Sequence, residues 1–445
     1  MTMLGRHRGG VAVVAAMWAC CLAAGILAPS EGLAQQKASP DLLAEADTRA
    51  AAVMDKVVAW RRDIHQHPEL SNREFRTSKL VADHLRSLGL EVRTGIAHTG
   101  VVGVLRGGRP GRVVALRADM DALPVTEMVD LPFASKVRSE YNGQEVGVMH
   151  ACGHDNHVAI LMGVAEVLAG MREKIAGTVV FVFQPAEEGA PPGEEGGAAL
   201  MLKEGAFSDP RPEAIFGLHV MPLGIGQIAY RSGGLMAAAD NLRIVVHGRQ
   251  THGAQPWAGV DPIVAASQIV MGLQTVVSRQ AELTRAGAVV TIGSFNGGVR
   301  HNIIPDSVVM LGTIRTLDPD MQPRIHEAIR RTATNIAESA GATATVEISP
   351  MVPVTYNDPA LTETMIPTLR RVAGAENVML APATTTAEDF SYFQQEVPGL
   401  YFFLGVAPDP ATAAPNHSPY FFADERALPV GVRALLHLTL DYLGS

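Results

Sequence analysis

Cysteine is nearly absent from this chain of 445 residues: there are three, and two of them, Cys20 and Cys21, sit together in an apolar N-terminal stretch. If that stretch leaves the mature protein, Cys152 is the remaining thiol and no intramolecular disulfide can form. Charge is also sparse, at 18% of residues, and no long run of one sign occurs. A formal net charge of −9 leaves no basic face for non-specific nucleic-acid binding, and no DNA or RNA motif is present. No internal period suggests a repeat architecture, and the only low-complexity patch, Gly189 to Gly197, reads as a loop. What the chain does have is apolar material, 47% of it, over a length that suits two or three domains.

The N-terminus reads as a leader rather than as part of the fold. Arg6 and Arg8 precede the uncharged apolar run Val11 to Leu27, and Gly32-Leu33-Ala34 offers small residues for cleavage after Ala34. The run is almost long enough to span a bilayer, so a membrane anchor is the competing reading. Lipidation at Cys20 or Cys21 is disfavoured by the run-up Met17-Trp18-Ala19. A cleaved signal peptide, residues 1–34, implies a periplasmic or secreted protein with no membrane attachment after cleavage.

Beyond it, helical spacing over 41–62 and Ser78–Leu88 alternates with β-rich runs at Gly100–Leu105 and Arg112–Ala118. A helix over Asp155–Ala169, a buried strand over Thr178–Gln184 and an apolar run at Ile215–His219 follow. Alternation of this kind predicts an α/β domain with a mostly parallel sheet, whose ligands gather at the carboxyl ends of strands. From Gly233 the order changes to strand Asn241–His247, helix Asp261–Arg279, strands Ala288–Phe295 and Ser307–Thr316, helix Met321–Ala340 and strand Thr343–Ser349. That βαββαβ order is ferredoxin-like and makes an independent unit. The expected organisation is therefore a first domain over 41–232 and 351–445, interrupted by an inserted lid domain over 233–350.

Chemistry concentrates at the predicted strand ends. Arg117 to Pro124 (RADMDALP) follows one strand, Met149 to His157 opens a helix, Gln184 to Gly189 follows another strand, Gly217-Leu218-His219 ends a fourth, and Asn416-His417-Ser418-Pro419 lies near the C-terminus. Thiolate, imidazole and carboxylate are the donors used by zinc and related divalent ions. Cys152 and His154, two apart before a helix, can turn toward one site, where metal and helix N-terminus would both stabilise a thiolate. A small buried hydrophobe is the bland alternative for Cys152. A cysteine nucleophile paired with histidine is the chemical alternative, but it leaves the carboxylates and distant histidines without a task. In Glu187-Glu188 one carboxylate can bind metal while the other stays free as a base, because adjacent residues leaving a strand point different ways. A solvated acidic loop is the alternative there, and it is the reading adopted for Glu194-Glu195.

The blocks RADMDALP, MHACGHD, QPAEEG, GLHV, GGVRHNIIPD, GTIRT, AEDFS and NHSP resemble the signature of the hippurate hydrolase and indole-acetyl-amino-acid hydrolase group of amidohydrolases. That group belongs to the aminoacylase and carboxypeptidase family of di-metal peptidases. The resemblance runs in order from about Trp60 to the C-terminus. It implies metal ligands at Cys152, His154, Glu188, His219 and His417, with Glu187 as general base. It also implies one or two divalent ions per subunit, Zn2+ or Mn2+ with Co2+ and Ni2+ as alternatives. The implied reaction is hydrolysis of the amide bond of an N-acyl-amino acid or small peptide by metal-activated water. The rival expectations are a dipeptidase or carboxypeptidase and a periplasmic binding protein that has lost catalysis.

The same resemblance makes the inserted unit a lid that carries a homodimer contact. It brings His252 to an active site, often the partner subunit's, to steady an oxyanion. It places Asn302 and Arg300 in the block that binds the substrate's carboxylate or scissile carbonyl, although from the residue alone Arg300 reads equally as a surface charge. Asp119 and Asp155 are expected to orient ligand histidines rather than to ligate. One departure stands out: Thr385-Thr386 precede Ala387-Glu388-Asp389-Phe390 where relatives usually carry Met-Gly. A β-branched side chain there would narrow the acyl site or add a hydroxyl to it.

Overall fold

A run such as Val179 to Phe183, apolar at every position, is stable as a strand only when both faces are covered. In the computed structural model, which describes residues 37–444, both are. The predicted leader, with Cys20, Cys21 and the cut after Ala34, lies outside the described residues. Val179, Phe181 and Phe183 point into one core, shared with the helices Pro40–Gln66, His154–Gly170 and Leu428–Leu443. Val180 and Val182 point into a second core, with Leu200, Met201, Phe390 and Phe393.

The sheet has eight strands. In spatial order they are Glu91–Ile96, Gly100–Arg106, Ala176–Gln184, Arg109–Asp119, Ala214–Gly224, Gly399–Ala407, Ile228–Tyr230 and Val378–Leu380. The four central strands are mutually parallel, and the antiparallel pairs lie toward the two edges. Asp119 pairs with Gln184 in register, so the turns after these two strands leave the sheet side by side. The helix Pro40–Gln66 starts where Ser39 accepts a hydrogen bond from the Leu42 amide and Pro40 occupies the first turn. His154–Gly170 is buried almost all round, because it lies between the sheet and the first and last helices.

The inserted unit forms a separate antiparallel sheet in the order Ala288–Asn296, Ser307–Thr316, Ala238–His247, Thr343–Val352. The helices Pro262–Thr275 and Met321–Ser339 cover one face and close a third core. The helix expected to reach Arg279 ends at Thr275, and the chain continues through a wide turn over Val276–Gln280. Entry to and exit from this unit run together: Gly233–Met236 pairs antiparallel with Thr355–Asn357. No described helix is long and apolar enough to cross a membrane. A hairpin, Arg138–Tyr141 with Gln144–Gly147, was not anticipated. Its signal was present in Asn142-Gly143, which adopt positive φ of 51° and 75° as a two-residue hairpin turn requires.

Candidate metal centre and active-site cavity

The turn that leaves the strand Ala176–Gln184 is held by two buried carboxylates. Asp121 accepts the Glu187 and Glu188 amides at 3.1 and 3.0 Å, and Glu74 accepts the amide of Ala186, whose φ is +51°. Burial and the nearby Asp121 push Glu74 up to about 8. Before the helix at His154, Gly153 has φ +95°, and a Cβ there would lie 2.3 Å from a Val220 methyl. The sharp turn and the close approach both call for glycine. The C-terminal loop is strapped onto this turn: the His417 amide donates to Ala151 O, and Asn416 Nδ2 donates to the carbonyls of Cys152 and Val220. His417 itself has φ +69°, an unfavourable conformation for a histidine that these bonds hold in place.

These turns bring the predicted donors together. Cys152 Sγ lies 3.3 Å from Nε2 of both His219 and His417, and His417 Nε2 is 3.0 Å from Glu188 Oε1. His154 Nε2 is 3.9 Å from Glu187 Oε2 and 4.0 Å from Glu188 Oε1. Two donor triads follow, Cys152–His154–His219 and Cys152–Glu188–His417, each with its donor atoms within 4.8 Å of one another and with the sulfur in common. The imidazoles are oriented for the task. His219 Nδ1 donates to Val220 O and His154 Nδ1 to Asp121 O, both at 2.8 Å, which leaves each Nε2 with a lone pair directed inward.

His154 Nε2 is buried without a hydrogen-bond partner. Its surroundings are rich in acid: burial would depress His154, but Asp119, Asp121 and Glu188 outweigh it and push the imidazole up to about 10. Burial, then Glu188 and Glu187, lifts the Cys152 thiol well above its usual range, while burial, then His157, holds His219 well below. A thiol, inward-facing imidazole nitrogens and surplus carboxylate are gathered in one cluster. The donor set therefore fits divalent metal. Glu187 is raised well above the ordinary carboxylate range by burial, then by Glu388 and Glu188, the direction expected of a group that must accept and release a proton.

His157 also lies near these groups, but both of its nitrogens are engaged. Nε2 accepts the Val220 amide at 2.9 Å, and Nδ1 faces Asp119 Oδ1. Asp119 therefore acts on His157, next to the strand that carries His219, and comes only within 3.7 Å of His154. Asp155 touches none of the predicted ligands. It turns the other way, to Arg61 and His65, each at 2.9 Å, so the Asp121 carbonyl does for His154 what Asp155 was expected to do.

Behind the donors lies a network of which sequence reading gave a role to Asp119 alone. Arg117, fully buried, pairs with Asp119 at 2.6 Å, Glu388 at 2.9 Å and Asp389 at 3.1 Å, and donates to Gln184 at 2.8 Å. Tyr401 donates to Glu388 at 2.6 Å. Asp389 is pushed up to about 7, with burial the main cause. Arg117, Gln184, Glu388 and Asp389 all lie in the blocks quoted above, so an unexplained charge in a buried-strand motif was the available signal. Tyr401, within an apolar strand, offered none.

A cavity of about 130 Å3 opens on the donors. Its lining includes Cys152, Glu187, Glu188, His219 and His417 together with the apolar Met221, Met236 and Phe403. Thr386 also borders the cavity, its hydroxyl 3.0 Å from that of Thr384. The lid residues do not. His252 is exposed and accepts the Ala254 amide, Arg300 is exposed, and Asn302 is half-buried beside Gly253. His252 pairs with Ile303 in a short ladder, so these three form one patch on the inserted unit.

The sequence model described as "Peptidase family M20/M25/M40" matches residues 115–441. Thermostable carboxypeptidase 2 of Saccharolobus solfataricus is 40% identical over 406 residues, 90% of this chain and 98% of the relative. IAA-amino acid hydrolase ILR1-like 2 of Arabidopsis thaliana is 38% identical, with 89% and 87% of the two chains covered. Among solved structures, a Bacillus subtilis protein described as a dinuclear metal binding peptidase is 35% identical. Its TM-score is 0.73, with 88% of this chain and 99% of that chain covered.

Proposed function

From the premise that the chain belongs to peptidase family M20/M25/M40, as a metal-dependent hydrolase, we propose that it cleaves the amide bond of N-acyl-amino acids or small peptides with Glu187 as general base. The observation that carries this reading is the sulfur of Cys152, common to two donor triads, with the Glu187 carboxylate beside them in the same cavity. In this reading Cys152, His154, Glu188, His219 and His417 would hold one or two divalent ions. A soft sulfur donor favours Zn2+, with Mn2+, Co2+ or Ni2+ as alternatives. Bound metal supplies Lewis acidity, which polarises a carbonyl and acidifies water.

The chain's own residues do the rest. Glu187 takes the proton from the attacking water and hands it to the departing amine, a transfer its cavity position permits without displacing a ligand. Arg117 and His157 hold Asp119, and Asp121 holds the turn that carries Glu187 and Glu188. His252, exposed on the inserted unit, reaches the carbonyl oxygen after lid closure or from a second subunit, and Arg300 and Asn302 take the substrate's carboxylate. The lid would also supply a homodimer contact. We further propose export of the protein, with cleavage after Ala34, to the periplasm or the medium.

The deciding experiment compares wild type with Glu187→Gln on acetyl-, benzoyl- and aminoacyl-amino acids in the presence of Zn2+, Mn2+ or Co2+. The variant should lose about 10²–10⁴ in turnover, the usual weight of general acid–base catalysis, while retaining its metal. Near wild-type turnover defeats the assignment, and the preferred acyl group separates amidohydrolase from dipeptidase.

A further inference from the structure

A second concavity, also of about 130 Å3, shares one lining residue with the first, Glu188. Its walls come from Leu123 and Pro124 after the strand ending at Asp119, from Pro191 and Pro192 in the loop after Glu188, and from Tyr141 and Asn142 at the hairpin tip. Its size is close to the roughly 150 Å3 of a protein cavity that takes up benzene. Prolines, a leucine and a phenol ring are surfaces for a flat apolar group.

Its charge is selective too. The cation among its lining residues is Arg73, already paired with Glu194 at 2.6 Å, while Glu140 and Glu188 present carboxylates. A substrate's own carboxylate is disfavoured there and a neutral group is not. The hairpin is fastened where it matters. Leu123 and Met149 exchange hydrogen bonds of 3.0 Å at its base, three residues before Cys152, and Val148 donates to Val137. Gly147 lies against Thr126 too closely to admit a side chain. The tip carries Tyr141, a ring 40% exposed that lines the same concavity as Glu188.

Building on the proposed amide hydrolysis, we infer that this concavity is the acyl subsite, that Tyr141 is its specificity-determining wall, and that it takes one aromatic ring or a branched chain of like size. The amino-acid half then occupies the cavity of Met221, Met236 and Thr386, so that Thr386, expected to border the acyl site, bears on the amino-acid half instead. An acetyl group underfills the acyl subsite, and Tyr141 does not touch it.

The test measures kcat/KM for N-benzoyl and N-acetyl derivatives of the same amino acids with the metal-loaded full chain. Tyr141→Ala should lower the benzoyl value about ten-fold and leave the acetyl value within about two-fold, as expected for the loss of an apolar wall; Tyr141→Phe should keep the wild-type ratio. Equal losses on both substrates, no loss, or a change in amino-acid preference alone overturns the assignment. Saturation-transfer NMR with benzamide gives a second readout that needs no turnover: binding to wild type and Tyr141→Phe, and none to Tyr141→Ala, supports the subsite. Equal binding to all three overturns it. A wild-type protein inert toward every N-acyl-amino acid would remove the proposed activity, and benzamide binding would still decide the subsite.

Discussion

The Cys152 sulfur lies 3.3 Å from two imidazole nitrogens, and burial, then Glu188 and Glu187, lift its thiol well above the usual range. It is the atom common to both donor triads. Cys152→Ala should therefore lose bound divalent metal while remaining folded, as checked by elemental analysis beside circular dichroism; full metal occupancy in the variant would refute the donor set. The sequence exposed these donors through residue type and position. Cysteine two residues before histidine, paired glutamates and isolated histidines at strand ends are costly to place in a core unless they have partners. Residue type alone did not separate His154 from His157, which the family resemblance did; in the fold the Val220 amide at 2.9 Å and Asp119 engage both nitrogens of the second.

At the scale of elements, the central strands and the lid strands were readable because an apolar run of five residues, or strict alternation, has few other solutions. The strand Ser307–Thr316 has the predicted bounds. The edge strand Glu91–Ile96, mostly exposed, carries little apolar signal and was not seen. Contacts between elements far apart in sequence were not readable either. Asp47 on the first helix meets Arg433 and His437 on the last, at 2.7 and 2.8 Å. Burial would raise the Asp47 pKa, but the bonds from Arg433 and His437 outweigh it and lower it. A carboxylate depressed in the folded state contributes stability that is present above its unfolded pKa, near 3.8, and fades as the pH falls through the folded value. Asp47→Asn should cost about 1 kcal/mol at pH 7, a figure kept small because a third of the carboxylate is exposed. Denaturant titrations should show that difference shrinking toward pH 3. A cost independent of pH would exclude the electrostatic account.

At the scale of the whole molecule, the inserted unit presents an open sheet edge. Its sheet ends in the strand Ala288–Asn296, with Val289 and Phe295 39% and 40% exposed, and the helix Pro262–Thr275 shows Met271 72% exposed. An unpaired edge beside apolar side chains suits a second copy of the same unit. Light scattering should give about twice the 47.2 kDa chain mass, less any removed leader, and Val289→Glu with Met271→Glu should halve it. If His252 acts across subunits, activity falls with the dimer while metal content stays; a monomeric wild type would dispose of the lid contact. The sequence by itself determined the architecture and the donor types, since apolar periodicity dictates which faces are covered, and buried thiol, imidazole and carboxylate require partners. Only the tertiary structure decided that Cys152 is common to two triads, that Asp155 turns toward Arg61 and His65, and that Arg117 lies behind Asp119. Those outcomes depend on how separate segments meet in space, Cys152 with His417 265 positions on and Asp155 with His65 90 positions back, and distances of that kind are set by packing, which no local pattern encodes.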